Sequence, residues 1–359
     1  AHTPNMLEKP LLLLMNPFAL SMLMSSLALG TTITLSSSHW FLAWMGLEIN
    51  TLAIIPLMTK MHHPRAAESA TKYFLTQATA SALILFSTIM EAWTTGEWTI
   101  MNMTNNAPTT MLTIALAIKL GIAPFHSWLP DVLQGQSMMT CLIISTWQKL
   151  APMALLIMVS HQLNTNLLII MALTSTIIGG WGGLNQTQTR KIMAYSSIAH
   201  LGWITLILSF APNLALFNLL IYLLLTSSMF MTLMTLNTPN INKLSTSWLK
   251  SPMLAVSMMS ILMALGGLPP TSGFLPKWLI LQEMTNQHLG ALSSLMALSA
   301  LLSLFFYLRI SYTISLTSPP NISNSNLTWR KKNTLLYALP LMIMMSTMMM
   351  PIMPALLMN

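Results

Sequence analysis

Fifteen Lys or Arg and seven Asp or Glu are all the formal charge in 359 residues, 6% of the chain, against 54% apolar residues. A water-soluble domain carries roughly a quarter charged residues because its surface must be wetted. A chain with so little polar surface would expose apolar patches of aggregating size in water. The bilayer is therefore the solvent this sequence suits. That excludes a cytosolic enzyme, a disulfide scaffold, since Cys141 is the single cysteine, and a disordered chain. The net charge of +8 does not indicate a nucleic-acid partner, because binding a polyanion needs clustered basic surface and these bases are scattered between hydrophobic runs.

Apolar stretches of about 20 residues bounded by polar, Pro or Gly punctuation predict membrane helices. Eleven such stretches lie near 15–36, 39–59, 66–93, 108–133, 137–159, 164–185, 191–211, 213–236, 251–286, 288–314 and 333–357. Short connections make them one all-α polytopic bundle over residues 15–359, and no alternating pattern supports a barrel. Ala1–Leu14 read as an N-terminal extension without signal-peptide features and without an assigned function, Met15-Asn16-Pro17 being a natural start. Alternate connections hold Lys60, Arg65 and Lys72; Arg190 and Lys191; Lys243 and Lys250; and Arg330, Lys331 and Lys332, while the other set holds no Lys or Arg. Basic connections mark the side from which spans insert. The N-terminus is then expected on the basic, inner side and the C-terminus outside.

Leu120-Gly121-Ile122-Ala123-Pro124 in span four and Leu265-Gly266-Gly267-Leu268-Pro269 in span nine share the pattern Leu-Gly-x-x-Pro. Proline breaks the helical ladder and glycine lets the chain bend beside it, so both helices are expected to be broken, at Gly121–Pro124 and Gly266–Pro270. Five spans separate the breaks, and an odd offset reverses direction across the membrane. Two inverted five-helix halves follow, 15–160 and 164–314, with 333–357 as a final helix. Inverted repeats with matched broken helices are transporter architecture, the working site lying near mid-membrane.

Four ionisable residues sit deep within spans: Glu48, Lys119 beside the first break, Lys149, and Lys277 after the second. A charge at the centre of a lone helix costs on the order of 3 kcal/mol even on lenient insertion scales, so each must face a partner or water, and intramembrane charges of this kind mark ion or proton paths. Their stems cannot reach an interface roughly 15 Å away. Lys72, Arg309 and Asp131 near inner span ends, and Glu91 and Glu283 near outer ones, read instead as interfacial residues. His126 and His200 are candidate relays, though a satisfied core histidine explains each as well. No His/Cys/Asp/Glu cluster has metal-ligand spacing. Gly179-Gly180-Trp181-Gly182-Gly183 reads as a site of close helix packing, and Trp40, Trp98 and Trp248 as interfacial anchors.

Met15-Asn16-Pro17, Trp44 through Asn50, Lys119 through Asp131, Trp147 through Pro152, Ala194 through Trp203, Gly266 through Pro270 and Gly273 through Trp278 together resemble the antiporter-like membrane subunits of NADH:ubiquinone oxidoreductase, respiratory complex I. Sister subunits 4 and 5 of that class are longer, and subunit 4 carries Glu where Lys277 stands. The resemblance implies that Glu48 and Lys119 form a control pair, that Lys149 is a central proton relay and that Lys277 is the terminal donor. It implies no cofactor in this chain, with NADH, FMN, iron-sulfur clusters and ubiquinone handled by other subunits. The implied partners are antiporter-like subunit 4, the small membrane subunits 4L, 6 and 3, accessory subunits and lipid such as cardiolipin. The implied location is the mitochondrial inner membrane, with the basic loops in the matrix and the C-terminus in the intermembrane space. A cation/proton antiporter of the same fold and a membrane subunit that moves no protons are the competing readings.

Overall fold

The structure, a computed structural model, describes residues 16–60, 63–249, 251–269, 271–316 and 338–351. The expected extension at 1–14, Lys250, Pro270 and the basic cluster at 330–332 lie outside the described residues. Every named element is helical: α1 (Pro17–Ser36), α2 (Trp40–Thr59), α3 (Pro64–Thr95), α4 (Asn106–Leu120), α5 (Trp128–Gly135), α6 (Met138–Ser145), α7 (Trp147–Met158), α8 (Thr165–Gly183), α9 (Thr189–Leu208), α10 (Pro212–Leu236), the short α11 (Ile241–Ser245), α12 (Pro252–Gly266), α13 (Phe274–Asn286), α14 (Gly290–Leu316) and α15 (Ala338–Met348). Side-chain acceptors start several of them. Asn16 Oδ1 receives the Phe18 N–H, and His39 and His63 Nδ1 receive those of Phe41 and Arg65, each at 3.2 Å.

Among the described residues, eight helical stretches are long and apolar enough to cross a membrane: α1, α2, α3, α6 with α7, α8, α9, α10 and α14. Expected spans four and nine are each a pair of shorter helices, α4 with α5 and α12 with α13. Of the expected span at 333–357, helix is described only over α15. Large apolar side chains such as Phe18, Leu75, Ile170, Leu298 and Phe305 stand exposed, while Asn50, Gln77, Ser196, Thr205 and Asn218 are buried. Lipid reverses the usual placement, since it solvates apolar side chains and leaves polar groups to be paired inside.

Packing repeats between the halves. The neighbours α1–α2, α2–α3, α3–α4, α4–α7 and α1–α7 recur as α8–α9, α9–α10, α10–α12, α12–α14 and α8–α14. The connection before α2 pairs with the one before α4 through a His39–Thr99 bridge, and the connection before α9 pairs with the one after α10 through a Gln188–Asn240 bridge. The first pair carries no Lys or Arg, whereas the second adjoins Arg190, Lys191 and Lys243. Further bonds tie like to like. Arg190 donates to the Gln136 carbonyl, Gln136 Nε2 to Ser69 Oγ at 2.5 Å, Arg309 to the carbonyls of Leu184 and Gln186, and Gln162 to that of Met101. With each broken pair counted as one traverse, all of these join connections an even number of traverses apart.

Three expectations change. The sequence match aligns Gly121 with Gly266, but the backbone aligns it with Gly267: φ is +75° and +77°, ψ 40° and 38°. Only glycine takes that conformation without strain, so the conformational need, rather than the preceding Leu, sets the register. Second, the stretch 137–159 is not one continuous helix, because α6 and α7 part at Thr146. Its Oγ1 bonds back to the Leu142 carbonyl at 2.7 Å, and Pro152 supplies no N–H to the turn before it. Third, Glu91 and Trp40 do not face outward at their span ends; both are buried against protein, each 2% exposed. Glu91 Oε1 receives the Thr104 N–H at 2.7 Å and its hydroxyl at 3.0 Å, holding the loop before α4.

Close approach explains the glycine-rich end of α8. A Cβ at Gly179 would lie 2.7 Å from the Ala199 nitrogen of α9, and one at Gly183 would lie 2.7 Å from the Phe306 ring of α14. We predict that Gly179→Val destabilises the bundle by about 1–3 kcal/mol, as overpacking does. Gly266→Ala, with nothing nearer than 3.8 Å, should be nearly neutral. Thermal unfolding of the purified assembly compares the two.

Candidate functional site

Lys119 ends up buried because α4 stops inside the bundle. The last carbonyls of a helix have no partner within it, and lipid supplies none. Here the Gly121 and Ile122 N–H groups bond the Ala117 carbonyl at 2.9 and 3.0 Å, the Trp128 indole bonds that of Ile118 at 3.0 Å, and Gln77 Nε2 bonds that of Lys119 at 3.4 Å. The Lys119 side chain sits in this last turn, where the negative end of the helix dipole favours a cation. Its Nζ is buried with no hydrogen-bond partner, as is Glu48 Oε2. Glu48 and Lys119 are not in ion-pair contact. Among the described residues the ion pairs are those of Lys72 with Glu68 at 2.9 Å and Asp131 at 3.1 Å, all on the half-exposed end of α3 and α5.

Lys149, in the first turn of α7, faces Lys119 across an enclosed cavity also lined by Asn50, Tyr73, Gln77 and Gln148. The cavity offers about 10 Å³ of water-sized space, room for about one water. No carboxylate meets the Lys149 ammonium. Its Nζ donates to the Tyr222 hydroxyl of α10 at 2.9 Å and lies 4.8 Å from the centre of that ring, and the hydroxyl donates to the Ser145 carbonyl at 3.0 Å.

Lys277, in the first turn of α13, reaches back to α12 and donates to the Gly266 carbonyl at 2.9 Å, so its ammonium serves as the cap of the second broken helix. It lines a second small cavity, also of about 10 Å³, with His200, Trp203, Asn218 and Tyr222. His200 is buried with its ring 5.6 Å from that of Tyr222. On its other side Lys277 borders a wider recess of about 190 Å³ between α12, α13 and α14, reaching the exposed Trp278 and Leu301. Lys149 thus lines the first cavity and Lys277 the second, and the hydrogen bond from Lys149 to Tyr222, which lines the second, links the two. His126 stands apart, half-buried in the loop between α4 and α5 with Nδ1 unpartnered. Among the described residues no group of three or more His, Cys, Asp or Glu could hold a metal ion.

Sequence comparison carries the family. The profile described as NADH:quinone oxidoreductase/Mrp antiporter, transmembrane, matches residues 37–303, and that of the NADH dehydrogenase subunit 2 C-terminus matches residues 304–357. The NADH-ubiquinone oxidoreductase chain 2 of Latimeria chalumnae is 62% identical over 318 residues, 89% of this chain and 91% of that protein; that of Xenopus laevis is 58% identical over 343 residues, 95% of this chain and 99% of that one. This chain belongs to the NADH-ubiquinone oxidoreductase chain 2 family. Among solved structures it is similar to a chain of respiratory complex I from Thermus thermophilus with bound Aureothin, with a TM-score of 0.80 and 26% identity over 93% of this chain and 80% of that one. A chain of the membrane-bound sulfane sulfur reductase, an archaeal respiratory membrane complex, shares the fold, with a TM-score of 0.80 at 20% identity over 94% and 74% of the two chains.

The neutral members of the site, Tyr73, Gln77, Gln148, Asn218 and above all Tyr222, escape a search for misplaced charge. For Tyr222 the usable signal is the repeat, since Tyr73 and Tyr222 occupy corresponding turns of α3 and α10, one on each cavity. Gly267→Ala tests the second break: its Cβ would meet Lys277 Nζ at 2.9 Å in a backbone conformation that alanine resists. In a chain 2 of this family the expected result is normal assembly, a destabilisation of about 1 kcal/mol from the lost left-handed cap, and a several-fold loss of quinone-coupled turnover. Thermal melting and activity of the purified complex measure the two effects.

Proposed function

We propose that this chain is a proton-translocating membrane subunit of NADH:ubiquinone oxidoreductase, converting free energy released at a quinone site elsewhere in the complex into proton movement through Glu48, Lys119, Lys149 and Lys277. The observation that carries this reading is a row of three lysines, Lys119 and Lys149 buried and Lys277 partly so, on two small cavities linked by the Lys149–Tyr222 hydrogen bond. An intramembrane charge without a fixed counter-ion is costly, and a chain that keeps three of them has a use for changing their protonation. In this scheme Glu48 is the control partner of Lys119. When the complex draws Glu48 closer, Lys119 is held as an ammonium; when Glu48 moves off, the proton passes to Lys149 and on toward Lys277. His200 acts as a relay in this scheme, a role supported by its sharing the second cavity with Lys277 and its ring contact with Tyr222, whereas His126 lines neither cavity.

The chain then sits in the mitochondrial inner membrane, its basic loops in the matrix and its C-terminus toward the intermembrane space. Antiporter-like subunit 4, the small subunits 4L, 6 and 3, accessory subunits and cardiolipin are its expected neighbours, and the electron carriers NADH, FMN, iron-sulfur clusters and ubiquinone belong to other parts of the complex. Two substitutions test the central relay. Lys149→Met removes the proton-carrying group and Lys149→Arg keeps a charge that does not deprotonate in proteins. Both are expected to assemble and to abolish proton pumping coupled to quinone reduction in reconstituted vesicles. Wild-type pumping by either would instead mean a scaffolding role at this position.

A further inference from the structure

One hydrogen bond links the two cavities, from Lys149, which lines the first, to Tyr222, which lines the second. The Tyr222 hydroxyl accepts the Lys149 ammonium at 2.9 Å on the first side, while the tyrosine lines the second cavity beside His200, Asn218 and Lys277. Its own proton, however, points at neither cavity. It is donated to the Ser145 carbonyl at 3.0 Å, and a peptide carbonyl accepts a hydrogen bond without passing a proton on. That acceptor exists because the chain breaks at Thr146. The Lys149 N–H, which in an unbroken helix would bond the Ser145 carbonyl, bonds that of Thr146 at 3.3 Å, and Ser145 is left to the tyrosine.

Resting on the proton-transfer reading above, we infer that the Tyr222 hydroxyl is the gate between the two cavities, closed while it donates to Ser145 and open when it turns toward His200 and Lys277. A hydroxyl rotates about its C–O bond without moving the ring, so the switch needs no helix motion. Asn218, one turn before Tyr222 on α10, has its amide Nδ2 buried with no acceptor, and the second cavity has room for about one water. A water there takes the Asn218 amide bond and offers an acceptor to the turned hydroxyl. The transfer then balances. The Lys149 ammonium gives a proton to the Tyr222 oxygen as the hydroxyl proton leaves for the water, and a proton passes from that water, directly or through His200, to a neutral Lys277 amine. Lys149 is left as an amine, Lys277 becomes an ammonium, and the tyrosine is neutral before and after. After the transfer the hydroxyl proton lies toward the Lys149 amine, so the hydroxyl must turn off that line before Lys149, recharged from Lys119, can donate again.

Tyr222→Phe removes the hydroxyl and keeps the ring that packs against His200 and the Lys149 ammonium. The test uses the whole assembled complex in vesicles, with Lys149→Met alongside and assembly checked on native gels. The expected result is normal assembly and at least a tenfold fall in both coupled quinone turnover and pumping for each variant. If Lys149→Met abolishes pumping while Tyr222→Phe pumps like the wild type, the gate is wrong and the proton-transfer reading stands. If Lys149→Met pumps normally, both fail. Should Tyr222→Phe not assemble, an ordered-water map of the wild-type complex during turnover decides. A water within hydrogen-bond distance of the Tyr222 hydroxyl on the Lys277 side supports the gate, and a dry cavity in every turnover state overturns it.

Discussion

A helix that stops in the middle of a bilayer leaves carbonyls that lipid cannot bond, and the rest of this molecule is arranged around three such stops. At α4 the orphan carbonyls are taken by the turn beyond Gly121, by the Trp128 indole and by Gln77. At α12 one of them is taken by the ammonium of Lys277. At α6 it is Ser145, whose carbonyl is taken by Tyr222. The same shortage that makes a broken helix expensive thus assembles the polar groups of the site. Each break recruits a side chain from a different helix, which fixes α3, α5, α13 and α10 against the ends they cap.

The electrostatics follow from that arrangement. Lys119 lies at a helix C-terminus and within the field of Glu48, Lys277 is bonded to a helix-end carbonyl, and Lys149 has only a neutral hydroxyl and a ring face. Lys149 therefore differs from the outer two in meeting a hydroxyl and a ring face rather than a helix C-terminus, and both of these still present negative partial charge to its ammonium. The half-exposed Glu68–Lys72–Asp131 cluster is different in kind. Solvated pairs contribute little to stability, and this one lies where water can reach it.

The membrane class and the two breaks were legible in the sequence, because each violates what is otherwise permitted: too little charge for water, and prolines within apolar runs; the burial of Lys119 and Lys149 follows the same logic, while Glu48 and Lys277 are partly exposed. The break at Thr146 was not legible, since neither a Thr nor a Pro six residues later is an unusual sight in a membrane helix, and its consequence depends on which side chain is waiting opposite. Glu91 was misread for a related reason. Its position near a span end is where an exposed acid would also sit, and only the fold of the following loop brings Thr104 over it. The register between the repeats could not be settled by matching letters, because Gly266 and Gly267 both fit the pattern and only φ separates them.

The helix packing repeats between the halves, but the side chains at corresponding places do not. Asp131 and Lys277 are each the fourth residue of the helix that follows a break, and Glu48 and Ser197 are each the ninth of α2 and α9. In the first half the acid after the break lies at the half-exposed end of the bundle with Lys72, and a second acid stands near Lys119. In the second half the corresponding places hold a lysine and a hydroxyl. An inverted repeat with identical halves would present a proton with equivalent sites on both sides and no preferred direction. At these places the two carboxylates of the first half are thus matched by an amine and a serine in the second, where the acid that remains is Glu283 near the end of α13. The packing of the two halves is nearly symmetric, and at these places the difference between them lies in side chains rather than in the fold.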